Sequence, residues 1–535
     1  MSESERPGSA ADLLVRCLRS AGVRTVFGYP GGPLAPLYDA LQRDGHIRHV
    51  LARHEQGAAF MAEGYARATG DPGVCLAVCG PGVYNAATPL ANAYTDSVPL
   101  LLISGQVPTV GRGLRSGYYH ENDQLDACTT MTKFRECVDS VQMLQPLFDR
   151  AWASLTDRRP GPALLEIPVN ILASELSAMP GPSTPTMLVP PALKPKDGEV
   201  LAERIGKWQR PLIIAGGGVV AARAEPLLVQ LAERLQAPVF HTLMGKGAIP
   251  GDHPLCAGLP WHQATSDITN MKPFISTLFA EADGLLSLGC RFSQVATAGW
   301  KVPVPAELVQ IDVDKSELGR HYPVAMGVHA DANQALRMLL AALPVEPRQP
   351  WAELPEKPPW RLTGIDLLGA LRRVLPRDAI VVADVTRLAY IMLAQFPVYE
   401  PRTFLHPAGF ISMGFGLPAA LGAKAARPER SVVAVLGDGG FQMCALELAT
   451  AVQEKLPVVV VLINDNALSL IRSIQERRFG SRFLGVDLEN PDFGQLTRAF
   501  GAGHWRVDHD DAFEKALREA LAAGQPGVVE VMVAK

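Results

Sequence analysis

The sequence predicts an α/β protein of three doubly wound parallel-sheet domains, on three observations. Short β-branched runs alternate along the chain with amphipathic helical stretches, the pattern of a parallel sheet covered on both faces. Two stretches, Pro180–Pro195 and Pro344–Pro359, carry six prolines each. Proline at that density continues neither a helix nor a central strand, so both read as extended linkers. The 535-residue length then divides into segments 1–179, 196–343 and 361–535, each long enough to bury a core.

Composition narrows the function classes. Hydrophobic residues at 48% and charged residues at 19% fit a globular enzyme and exclude a disordered chain. A net charge of −4 leaves no basic footprint for nucleic acid. The longest aliphatic run, Val458–Ile463, is too short to span a bilayer, and the N-terminus lacks a basic-then-apolar signal. The eight cysteines are scattered; Cys75 and Cys79 are expected on one strand, at a spacing that matches no zinc or redox framework. Reduced, buried thiols in a cytoplasmic protein are expected.

The first segment opens with a helix expected over Ala10–Ser20 and a strand over Thr25–Gly28, ending at Tyr29-Pro30-Gly31-Gly32. Glu55 then heads an Ala-rich helix. Desolvation there favours its protonated form, while the helix N-terminus favours the carboxylate. Alone, Glu55 reads as a helix-start residue. The stretch Val74–Gln106 follows, with Gly80-Pro81-Gly82 and Asn85. In the middle segment, Arg210–Val219 (RPLIIAGGGV) places a glycine-rich turn after a strand, a partial nucleotide-site pattern that equally suits a domain that only packs.

The third segment carries the densest chemistry. A buried strand, Val432–Leu436, stops at Gly437-Asp438-Gly439-Gly440, a helix is expected over Phe441–Lys455, and a second strand, Val458–Ile463, ends in Asn464-Asp465-Asn466. Both polar clusters therefore sit at carboxyl ends of neighbouring strands, where open α/β sheets bind ligands. The glycines let backbone amides approach a phosphate, and the helix N-terminus favours the same anion. Asp438 and Asp465 converge as hard oxygen ligands suited to magnesium shared with phosphate and water.

In combination these motifs resemble thiamine-diphosphate enzymes of the acetolactate synthase-like group, and the resemblance spans nearly the whole chain. YPGG, RHEQGA, GPG with Asn85, and NAYTDSVPLLLISGQ fall in family order, and His406–Lys424 (HPAGFISMGFGLPAALGAK) matches a further motif. The resemblance implies a pyrimidine-binding domain at 1–179, a central Rossmann-like domain at 196–343 and a diphosphate- and metal-binding domain at 361–535. It gives Glu55 the hydrogen bond to the aminopyrimidine that drives ylid formation. It places Pro30, Gly31, Pro81, Asn85, Thr386, Arg387, Ile411, Gly437, Gly439, Gly440 and Leu468 around the cofactor. Met413 becomes the prop that bends thiamine diphosphate, although a lone Met would read as core. The magnesium ligands become Asp438, Asp465 and the backbone carbonyl of Ala467. Asp465 stands where many members carry Asn, as in the flavin-independent synthases. FAD in the central domain is therefore admitted but not favoured; relatives hold FAD, an ADP moiety or nothing there. A homodimer or homotetramer with active sites between subunits is implied.

Several positions depart from acetolactate synthase. An active-site Gln becomes His120 in Tyr119-His120-Glu121, a loop closer to that of oxalyl-CoA decarboxylase; His120 and Glu121 are candidate proton donors, and His120 reads equally as a loop histidine. The Arg tied to the acceptor carboxylate falls on Val295, the acceptor-selecting Trp falls on Ile474, and the chain ends at EVMVAK without the tail that closes over the synthase site. The expected reaction is decarboxylation of a small-molecule 2-oxo acid, pyruvate by default, with ligation to a carbonyl acceptor that carries no carboxylate. Simple decarboxylation, cleavage of a 2-hydroxyacyl or oxalyl thioester, and a flavin-containing oxidase are the alternatives.

Overall fold

The computed structural model describes residues 8–113, 117–181, 183, 190–260, 272–354 and 366–533. They hold three six-stranded sheets, all parallel. The first comprises β1 (Thr25–Gly28), β2 (Arg48–Leu51), β3 (Gly73–Ala77), β4 (Leu100–Gln106), β5 (Phe134–Cys137) and β6 (Ala163–Pro168), in the order β2-β1-β3-β4-β6-β5. The middle sheet comprises β7 (Pro211–Ala215), β8 (Val239–His241), β9 (Cys256–Gly258), β10 (Gly284–Leu288), β11 (Leu308–Asp312) and β12 (Met326–His329). Its order, β9-β8-β7-β10-β11-β12, is the Rossmann arrangement. The third comprises β13 (Ile380–Ala383), β14 (Phe404–Leu405), β15 (Val432–Gly437), β16 (Val458–Asn464), β17 (Gly503–Val507) and β18 (Gly527–Met532), in the order β14-β13-β15-β16-β18-β17. The first and third sheets thus share one strand order, with the switch in chain direction beside β1 and β13.

The β-branched composition of β15 and β16 suits strands covered on both faces, and β16 is buried throughout. Six helices position the site: α1 (Glu55–Thr69), α2 (Ala87–Asp96), α3 (Gly416–Ala426), α4 (Asp438–Cys444), α5 (Glu447–Gln453) and α6 (Ser469–Phe479). Helix α1 of the first domain lies on α3 of the third. The backbones approach so closely that a β-carbon at Gly64 would stand 2.1 Å from the Ala419 carbonyl oxygen, and one at Gly422 1.8 Å from that of Met61. Ala and Gly at this crossing are therefore a packing requirement.

Three expectations are corrected. The helix expected over Phe441–Lys455 is two helices: α4 begins at Asp438, and the chain bends at Ala445-Leu446 before α5. The bend lets Glu447 accept the backbone N–H of Arg53 in the first domain, a tertiary bond that a local pattern does not encode. Cys79 lies beyond the end of β3, in the turn before Pro81, although all eight cysteines are buried and none is disulfide-bonded. Pro195 opens a helix, Pro195–Gly206, because its fixed φ and missing N–H suit a first helical position. Much of both proline-rich stretches lies outside the described residues. Among the described residues, no helix is long and apolar enough to cross a membrane.

Candidate active site

The first domain gathers one half of the site around Val78. Gly31, after β1, and Gly82, after β3, both face it; β-carbons there would stand 2.9 Å and 2.8 Å from its side chain. Glu55 is the first residue of α1, capped by the His54 side chain, and is buried. One of its oxygens accepts the Asn85 amide at 2.9 Å, and the other lies toward Gly82. Pro30 and Pro81 are exposed at the two turn tips. Gly80 takes φ +64, and its N–H donates to the buried Gln124 side chain, which also donates to Glu166. Gln124 therefore fixes the Gly80–Gly82 turn, a role the sequence did not reveal.

The loop carrying His120 and Glu121 packs on that turn. His120 adopts φ +67, its carbonyl faces Gly80, and its ring stacks on Tyr119 at 3.8 Å between centroids. Its Nδ1 is buried with no hydrogen-bond partner among the described residues. A non-glycine residue in that conformation is uncommon and marks a constrained position.

The third domain gathers the other half at the carboxyl ends of β13, β15 and β16. Asp438 is almost fully buried. One oxygen accepts the Gly439 N–H at 2.8 Å, and the other accepts the Asn490 amide at 2.7 Å. Asp465 accepts the Ala467 N–H at 3.1 Å and the Ser469 hydroxyl. Burial raises the Asp465 carboxyl above its ordinary range, the Ser469 bond opposes this, and the nearby charge of Asp438 raises it further. A cation between the two would relieve that repulsion. The Ala467 residue is buried, and no N–H among the described residues donates to its carbonyl. Two carboxylates and an unpartnered carbonyl suit a hard divalent cation, so the donor set fits magnesium.

Met413 stands over the glycine turn: a β-carbon at Gly439 would lie 3.6 Å from its Cε and 2.7 Å from Leu468. Two residues earlier, Ile411 takes φ +58, a costly conformation for a β-branched side chain, at the approach to Met413. Gly437 faces Thr386, whose hydroxyl caps the following helix by accepting the Ala389 N–H. Arg387 is exposed beside it. Gly440 faces Asp384, which accepts the Gly416 N–H and whose carboxyl burial pushes up to about 6.

Asn490 and the Glu530–His504 pair carry no signal in the sequence. Asn490 donates to both Asp438 and Asn464 and accepts from Gln442, while Asn464 donates to Glu530, which pairs with His504. Each amide in this chain can be oriented in one way only, so Asp438 is held from behind. Within the described residues of one chain, no hydrogen bond joins Glu55 or Asn85 to Asp438 or Asp465. In the middle domain, Gly216 and Gly218 abut Gly289; a β-carbon at Gly216 would stand 1.9 Å from its carbonyl oxygen. Those glycines are explained by packing between two turns.

The structure thus places a buried carboxylate at a helix start in the first domain, and a bulky side chain over a Gly-Asp-Gly turn beside a second carboxylate in the third. The N-terminal TPP binding domain of thiamine pyrophosphate enzymes matches residues 8–128, the central domain residues 199–339 and the C-terminal TPP binding domain residues 384–531. A probable acetolactate synthase large subunit of Methanocaldococcus jannaschii is 34% identical over 98% of this chain and 91% of its own. A probable 2-ketoarginine decarboxylase of Pseudomonas aeruginosa is 38% identical over 97% of this chain and 93% of its own. The acetolactate synthase isozyme 2 large subunit of Escherichia coli is 34% identical over 98% and 95%. The chain belongs to the thiamine pyrophosphate enzyme family and is an acetolactate synthase-like enzyme of it, in the class that couples decarboxylation to carboligation.

Proposed function

We propose that this enzyme decarboxylates a 2-oxo acid, pyruvate by default, and ligates the remaining two-carbon unit to a carbonyl acceptor without a carboxylate. The observation that supports the cofactor part is the proximity of Asp438 and Asp465 at neighbouring strand ends, with Met413 over the intervening Gly439. When bound, thiamine diphosphate supplies a nucleophilic thiazolium carbon and an electron sink for decarboxylation. Asp438, Asp465 and Ala467 would hold Mg2+ against its diphosphate, and Gly437, Gly439, Gly440, Thr386 and Leu468 would surround that group. Met413 and the Ile411 turn would hold the cofactor bent, and Glu55, oriented by Asn85, would hold the proton shared with the aminopyrimidine. His120 and Glu121 would move protons at the substrate, and Arg387 would meet a carboxylate or the diphosphate. Val295, in place of the synthase Arg, leaves an acceptor carboxylate without that guanidinium partner, and Ile474 replaces the acceptor-selecting Trp. FAD is not favoured, because packing accounts for Gly216 and Gly218. The segments 1–179, 196–343 and 361–535 are then the pyrimidine-binding, central and diphosphate-binding domains, in a cytoplasmic protein.

The active unit is a dimer or a tetramer of dimers. Exposed apolar side chains flank both halves of the site: Tyr84 at 47% beside Asn85, Phe410 at 50% beside Ile411, and Met443 at 58% after α4's glycine turn. A second copy would cover them and bring its Asp438 half to this chain's Glu55 half.

Pyruvate supplied with aldehyde, ketone and 2-oxo acid acceptors, with products assigned by mass spectrometry, tests the reaction. A ligated hydroxyketone is expected; acetolactate as the sole efficient product would refute the altered acceptor. Simple decarboxylation is the second reading, favoured by the 2-ketoarginine decarboxylase relative. Free aldehyde from 2-ketoarginine, with no ligation product, would establish it.

A further inference from the structure

The crossing of α1 and α3 has a buried carboxylate at each side that the proposed chemistry does not use. In the first domain, Asp96 ends α2 and is 3% exposed. Its Oδ2 accepts the Ala408 N–H at 2.8 Å and its Oδ1 the Gly409 N–H at 2.7 Å. Arg67 of α1 donates to Asp96 at 2.5 Å and to Glu63 at 2.6 Å, and reaches the His406 carbonyl at 3.2 Å. The first domain thus grips the turn of the third that leads into Ile411 and Met413.

The third domain returns the contact. Glu447, in α5 and 1% exposed, accepts the Arg53 N–H at 3.1 Å with each oxygen, and the Thr450 hydroxyl at 2.7 Å. Arg53 precedes His54, which caps α1, and Glu55, which begins it. The two grips occupy equivalent places in the shared strand order. Asp96 lies between β3 and β4, Glu447 between β15 and β16, and each gripped turn precedes an interdomain helix.

A glycine admits each carboxylate, Gly409 in the gripped turn itself and Gly57 in the first turn of α1 that follows the Arg53 grip. A β-carbon at Gly409 would stand 2.9 Å from Asp96 Oδ1 and 2.4 Å from Thr95 Cγ2; one at Gly57 would stand 2.1 Å from Glu447 Oε1. Any larger residue would push the turn off its anchor.

We propose that Asp96 and Glu447 are reciprocal positioning residues: each domain's buried carboxylate fixes the turn by which the other domain addresses the cofactor. The inference rests on the cofactor-facing roles proposed for Glu55, Ile411 and Met413. A buried carboxyl that loses its backbone N–H partners leaves polar groups unsatisfied, so each anchored turn is held in place, and displacement of a reacting group by about 1 Å costs on the order of a hundredfold in rate. The paired anchors tie the two half-sites of one chain to a single interface.

Hydrogen exchange of the holoenzyme, read by mass spectrometry, gives a crossed test. Asp96→Asn and Gly409→Ala should speed exchange over residues 408–413 about tenfold and leave 53–57 unchanged. Glu447→Gln and Gly57→Ala should do the reverse. Each variant should also lower kcat about tenfold, with the KM for thiamine diphosphate moving less than threefold. The glycine variants leave both carboxylates and Arg67 in place, so they carry the test if a carboxylate variant does not fold. Equal acceleration of both segments, or of neither, overturns the proposal, as does an unchanged kcat with the crossed pattern present. Wild-type protein whose activity is indifferent to thiamine diphosphate would instead overturn the functional reading, whatever the exchange shows.

Discussion

At the scale of single residues, the site holds acids in environments that divide their tasks. The charge of Asp438 acts on Asp465, and neither has a cationic side chain bonded to it in the described residues. Asp438→Ala should abolish retention of both Mg2+ and thiamine diphosphate through dialysis, measured by metal analysis and cofactor extraction; retention near the wild-type level would sink the assignment. Glu447 behaves differently. Burial pushes its carboxyl up to about 7, against bonds from Thr450 and from the backbone of Arg53 and His54 that pull it down. A buried acid whose folded value lies above the ordinary 4.5 stabilises the fold fully below that value. That contribution is lost as pH rises through 7. The upper bound is about 3 kcal/mol, at roughly 1.4 kcal/mol per unit. Glu447→Gln should therefore flatten the fall in denaturation midpoint between pH 5 and pH 8, while its loss of the anchoring carboxylate lowers stability at every pH. An undiminished slope in the variant would assign the pH dependence to other groups.

At the scale of elements, the readable parts were those decided locally. The helix Ala10–Ser20 and the strand Thr25–Gly28 stand where their patterns place them, because amphipathic spacing and β-branched composition encode them within a few residues. The strands β15 and β16 were legible for the same reason, and with them the convergence of Asp438 and Asp465 at neighbouring strand ends. The bend at Ala445-Leu446 was not. No Gly or Pro marks it, and its cause, the Glu447–Arg53 bond, joins residues nearly 400 positions apart. Asn490 was hidden likewise, since an Asn between turns carries no pattern of its own. Its two amide donors are committed to Asp438 and Asn464, so Asn490→Ala should free Asp438 to rotate. Loss of such outer-shell support typically lowers metal affinity about tenfold to a hundredfold. Calorimetric titration of Mg2+ into protein saturated with thiamine diphosphate should show that loss, with the fold intact by circular dichroism. Unaltered affinity would make Asn490 a packing residue.

At the scale of the molecule, the shared strand order makes the first and third domains two versions of one scaffold joined at α1 and α3. Each version supplies half of a site at its carboxyl strand ends, and within one chain the interdomain hydrogen bonds run through Glu447 and Asp96 while none joins Glu55 to Asp438 or Asp465 among the described residues. A second chain related by a two-fold axis would complete two sites at once, each with Glu55 from one protomer and Asp438 from the other. This arrangement separates from a single-chain site by complementation. A Glu55→Gln chain and an Asp438→Ala chain should each be inactive alone. After mixing under conditions that exchange subunits, half of the dimers are hybrids, and each hybrid holds one site with both residues intact and one with both replaced. About a quarter of wild-type activity should return on statistical mixing. If Glu55 and Asp438 served a site within one chain, every site in the mixture would carry one defect and no activity would return. Subunit exchange itself is checked independently, by native mass spectrometry of the hybrid, so a silent mixture of confirmed hybrids would place both residues in the same chain's site.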